Sequence, residues 1–173
     1  MMVTDESIAR VPRIESDVLD ERHWDTLQQK HRELLAFIRD DEFGTEAIAY
    51  YTMDMQQLAK DKGEPGAWRV FPKNFDVPHI VMHTHPAGGP FSLNDFHPFI
   101  TNQNTMMMCA VGHDISVYTL EKLPGFEAAN AIHTIIDAAR KAPDPRIDLN
   151  GHIEFVIEVY KSIQKYGFVY REG

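Results

Sequence analysis

The stretch VPHIVMH at residues 77–83 is apolar at nearly every position. A strand with one wet face alternates apolar and polar residues, whereas a strand this uniformly apolar needs cover on both faces. The chain must therefore place a sheet between two other layers. Its remaining patterns supply them. Trp24, Leu27, His31, Leu34, Leu35 and Ile38 fall at helical spacing with charges between them, which predicts an amphipathic helix ending near Asp40 and Asp41. The segment TEAIAYYT at 45–52 is β-branched and aromatic and reads as a strand. MDMQQLAKDKGEPG at 53–66 is compatible with either an edge strand or a helical turn, closed by Gly63, Pro65 and Gly66.

AWRVF at 67–71 reads as a further strand, and TMMMCAVG and DISVYTL read as two more around a turn at Gly112, His113 and Asp114. Two helices follow, one from Glu127 to Lys141 with Ala128, Ala131, Ile132, Ile135, Ile136 and Ala139 on one face, the other HIEFVIEVYKSIQKY from His152. Residues 1–20 are polar without a period and read as an N-terminal arm or linker; residues 21–173 form the domain. With 173 residues and 43% hydrophobic content, one domain is expected: an α/β sandwich with a central mixed sheet of roughly five strands, flanked by helices.

Net charge is −9 and no Lys/Arg cluster occurs, which argues against nucleic acid as a partner. No apolar run reaches the roughly 20 residues of a membrane-spanning helix, so no membrane association is expected. Cys109 is the only cysteine, which excludes an internal disulfide. A reducing, cytoplasmic setting fits these features.

Chemistry concentrates in HTHPAGGPFSLND, His83 to Asp95. Residues two apart on a strand share a face, so His83 and His85 project together while Thr84 points away. Pro86 through Phe91 turns the chain, and a short helix expected from Ser92 would carry Asp95 one turn in, able to face the histidines. Two imidazoles and one carboxylate make an open three-ligand zinc set. Such a metal needs a general base. Glu46, at the start of the neighbouring strand, is the best candidate; Glu42 lies in the charged run RDDEFG and is the second choice. Each part also has a plainer explanation. Ser92 and Asp95 match a helix capping box, and a bare H-x-H suits packed strand histidines. Together, a strand-borne H-x-H, an immediate turn and an S-x-x-D favour a metal site. His79 shares the parity of His83 but reads as a buried, hydrogen-bonded residue. His97 reads as either a neighbour of the ligands or a solvated side chain, and Met106, Met107 and Met108 as strand core.

The upstream Glu46, the H-x-H-P at His83–Pro86 and the S-x-x-D at Ser92–Asp95 resemble the JAMM motif of the JAB/MPN metalloprotease family. The spacing from His85 to Ser92 is one residue shorter than the family's usual one, a contraction the Gly88–Gly89 pair can absorb. The resemblance implies a cytidine-deaminase-like α/β fold and zinc-dependent cleavage of peptide or isopeptide bonds. It assigns zinc to His83, His85 and Asp95, the general acid/base to Glu46, and oxyanion stabilisation to Ser92. It further implies a protein or peptide substrate, with a ubiquitin-like protein or its conjugates as the leading class. Two alternatives follow: a bacterial or phage peptidase acting on a substrate unrelated to ubiquitin, and a scaffold that binds partners without chemistry.

Overall fold

The computed structural model describes residues 3–64 and 73–173. Among them, six strands form one mixed sheet in the order β2-β1-β3-β4-β5-β6: β1 Ala47–Thr52, β2 Gln57–Lys62, β3 His79–His85, β4 Thr105–Gly112, β5 Val117–Lys122 and β6 Phe168–Glu172. Only β3 and β4 pair in parallel, joined through the short helix α3 (Phe96–Thr101). The helices α1 (Asp5–Ala9), α2 (Trp24–Ile38), α4 (Ala128–Ala139) and α5 (Leu149–Ser162) complete the layers.

The expected sandwich forms around β3, whose two faces feed two separate cores. On one face Ile80 and Met82 join Ala49, Met107, Cys109 and Val111 beneath Leu27, Leu34, Leu35 and Ile38 of α2. On the other, Met108, Ala110 and Leu120 pack with Phe96 and Phe99 of α3, Ala131 and Ile135 of α4, and Val156 and Tyr160 of α5. Residues 3–20 pack onto the first core through Val3, Val11, Ile14 and Leu19. Asp17 anchors this segment: its amide donates to Glu121 Oε2 at 2.8 Å and its carboxylate pairs with Arg171 at 3.0 Å.

Several boundaries depart from expectation for identifiable reasons. The ambiguous segment 53–66 contributes the edge strand β2, whose largely exposed residues carry no alternation that sequence could display. The strand expected at 67–71 lies outside the described residues. β6 was not anticipated; Gly167, at φ 85°, ends the preceding turn of helix and releases a strand that pairs with β5. The buried stripe of α4 is Ala131, Ile135 and Ala138, and Ile136 is 46% exposed, so the helix is rotated from its expected face. Finally, α3 begins at Phe96 rather than Ser92. Pro98 sits within its first turn, where a missing amide costs nothing, and does not stop it.

Candidate metal centre

Strand register explains how distant residues reach one place. In the antiparallel β1–β3 pair, Ile48 lies opposite His83, and the amide of Ala47 donates to Thr84 Oγ1 at 2.9 Å. Continuing that register by two residues puts Glu46 beside His85. Thr84 points away from the histidines, as expected, and in doing so pins the strand end that carries the glutamate.

After His85 the chain turns back through Gly88 and Gly89, at φ 73° and 84°, a left-handed pair that suits glycine. A Cβ on Gly88 would meet the Asp114 carboxylate at 2.5 Å, and one on Gly89 would meet Ile153 at 3.1 Å. The tight turn thus rests on both glycines. Ser92 to Asp95 forms a tight turn closed by hydrogen bonds: Asp95 Oδ2 accepts from the Ser92 amide at 2.7 Å and from its hydroxyl at 2.8 Å. Asp95 therefore precedes α3 rather than lying one turn inside it. This is half of a capping box at most, because the Ser92 hydroxyl donates to the aspartate instead of capping an amide. The Ser92 carbonyl is itself held by the hydroxyl of Tyr160 at 2.9 Å.

His83, His85 and Asp95 come together as a possible metal-binding group, with their donor atoms within 4.8 Å of one another. His83 Nε2 lies 2.9 Å from His85 Nε2, and Asp95 Oδ2 lies 3.7 and 3.8 Å from them. Ligand bonds of roughly 2.0–2.2 Å about a tetrahedral ion separate donors by about 3.3–3.6 Å. The observed separations straddle that range, so small ring movements accommodate an ion. The backbone of Gly89 and Pro90 beside the ring of His85 favours its protonated form.

The electrostatics follow from burial. Desolvation pulls His85 down to about 4, aided by His83. Desolvation also acts on His83, but the neighbouring charge of Asp95, with that of Glu46 beyond, outweighs it and raises its pKa. Asp95 is held well below the ordinary carboxylate range: its burial is overcome by His83, His85 and Ser92. Glu46 is pushed up to about 7 by burial, with Asp95 adding to the rise and His83 opposing it.

Glu46, His83, His85, Ser92 and Asp95 all line one cleft of about 600 Å³. Its lining also includes Ile48, Tyr50, Val81 and Met108 of the sheet and Phe99 of α3. Glu42 is exposed and lies outside the lining, so among the two carboxylates considered only Glu46 faces the histidines. His79 stands apart, buried and bonded to the Val77 carbonyl at 2.8 Å and Thr105 Oγ1 at 2.9 Å. His97 is exposed. Met107 and Met108 are buried as strand core, with Met106 half-buried. Sequence reasoning missed Tyr160, which within α5 looks like any other aromatic on a buried stripe.

Among the described residues, no helix is long and apolar enough to cross a membrane. The chain matches no family model, no curated protein and no solved structure.

Proposed function

We propose that this chain is a zinc-dependent hydrolase of peptide or isopeptide bonds, of the JAB/MPN type. The observation that carries the reading is the convergence of five residues from three separate segments at one end of one cleft. The α/β sandwich, with the H-x-H on its central strand, supports the family reading.

His83, His85 and Asp95 would hold the ion. A bound divalent ion supplies Lewis acidity, which eases deprotonation of water and attack on a carbonyl. Glu46 takes the proton from the attacking water and returns it to the leaving amine. A carboxyl poised near neutrality serves both steps, and burial sets Glu46 at about 7. The Ser92 hydroxyl, now donating to Asp95, turns its proton toward the oxygen that gains charge, an interaction worth on the order of 3 kcal/mol at the transition state. The substrate is a protein or peptide, with ubiquitin-like conjugates the first class to test.

The test compares wild type with Glu46→Gln on a panel of ubiquitin-like fusions, isopeptide conjugates and unrelated peptides, with zinc measured in both. Wild type is expected to cleave at least one class, and the variant to keep zinc while losing on the order of 10²–10⁴-fold in rate. Cleavage confined to unrelated peptides would select the alternative peptidase. Zinc binding without any cleavage would select the scaffold, and equal cleavage by the variant would remove Glu46 from its role.

A further inference from the structure

The cleft extends well beyond the triad. Its far end is formed by Lys73, Asn74, Asn102 and Thr105, and Thr105 pairs with His79, four residues before His83 along β3. At about 3.3 Å per residue the two ends lie roughly 13 Å apart, the reach of about four residues of extended peptide.

Behind that far end stands an anomaly. Lys122 of β5 is fully buried, its ammonium donating to the Asn102 carbonyl at 2.7 Å and lying 4.6 Å from the Phe99 ring and 5.5 Å from that of Phe126. Every Asp and Glu of the chain belongs to the described residues, and none of them pairs with it. Burying an ammonium without a counter-ion is strongly unfavourable; a carbonyl and two ring faces compensate it only in part. Burial accordingly pulls Lys122 down to about 8. In a chain of net charge −9, this is a cationic spot with no acid of its own. Asn102 and Phe99 touch the ammonium and also line the cleft, so the charge is one side chain away from whatever occupies that end. Lys73 adds a second ammonium there, shared with Asp61.

We propose that the far end of the cleft is a subsite for a carboxylate of the bound peptide, placed about four residues from the atoms at the metal triad and neutralised by Lys122. The proposal rests on the hydrolase reading only in taking a peptide as the occupant of the cleft. Two sources carry this chemistry, a C-terminal carboxylate and an Asp or Glu side chain.

The experiment uses the full zinc-loaded chain with labelled lysine side chains and three probes. They are acetyl-Ala-Leu-Ala-Leu as the free acid, the same peptide as its carboxamide, and acetyl-Ala-Leu-Ala-Glu carboxamide. Dissociation constants and the Lys122 side-chain resonances are measured together. At least one carboxylate-bearing probe is expected to bind on the order of tenfold or more tighter than the neutral peptide and to shift the Lys122 resonances; which one does so identifies the source. Lys122→Met should abolish the difference while leaving affinity for the neutral peptide within about twofold. Equal affinity for all three, no binding of any, or a preference that persists in Lys122→Met, as when the carboxylate sits on the metal, would overturn the subsite. If Lys122→Met does not fold, an unmoved Lys122 resonance in wild type saturated with the acid overturns it equally. The readout is binding, so a chain that cleaves nothing can still show the subsite, and a chain that cleaves without acid preference loses the subsite alone.

Discussion

At Glu46, stability and chemistry pull in opposite directions. Its carboxyl is half-buried beside Asp95 and His83, and its pKa rises from the ordinary 4.5 to about 7. A carboxyl whose folded-state pKa lies above its unfolded value favours folding most when protonated. That contribution is complete below about pH 4.5 and is lost as pH rises through 7. Metal-free Glu46→Gln, which mimics the protonated form, should therefore equal wild type in stability near pH 4.5 and exceed it at pH 8. The gain should be on the order of 1–3 kcal/mol, reduced from the full linkage value because the group is partly solvated. Denaturant titrations at the two pH values check this; a variant less stable than wild type at pH 8 would contradict it. The histidines were legible at this scale because a strand's period of two is a strict rule. Glu46 was less so, since nothing local distinguishes one glutamate before a strand from another. Lys122 and Tyr160 were not legible at all, because their meaning lies in partners distant in sequence, Asn102 at 20 residues and Ser92 at 68.

The elements succeed or fail as carriers of the site according to how firmly they are registered. β1 brings Glu46 to the histidines through pairing with β3 and the Ala47–Thr84 bond. α5 steadies the Ser92–Asp95 turn through Tyr160, whose ring stacks on Tyr170 at 5.8 Å between centroids. Tyr160→Phe keeps that packing and removes only the hydroxyl. It should cost about 0.5–1.5 kcal/mol in stability, and on the order of tenfold in zinc affinity because the turn that aims Asp95 loses a support. Unfolding curves and a zinc titration measure both, and unchanged zinc affinity would show that the turn holds itself. Elements with strong patterns were readable, α2 by its helical periodicity and β3 by its uninterrupted apolar run. The edge strand β2 and the terminal β6 were not: an edge strand exposes most of its side chains, and β6 is recruited by pairing with β5 rather than by a pattern of its own.

Across the described residues, α2 packs on one face of the sheet and α3, α4 and α5 on the other, and a cleft lies over β1 and β3 on that second face. The C-terminal end of the central strand, with His83 and His85, opens into that cleft, where ligands commonly sit in open α/β sheets. Overall layering followed from the uniformly apolar β3, since a strand covered on both faces demands a sandwich. The cleft's extent did not, because its lining is gathered from β1, β3, β4, α3 and the loops that flank them. In the proposed site His83, His85 and Asp95 together hold one catalytic metal ion. Elemental analysis of protein purified without chelator, then titrated with zinc, tests it most directly. Close to one zinc per chain is expected in wild type, and its loss in His85→Ala. Absence of metal in wild type with no uptake of added zinc, or full occupancy in His85→Ala, would contradict it.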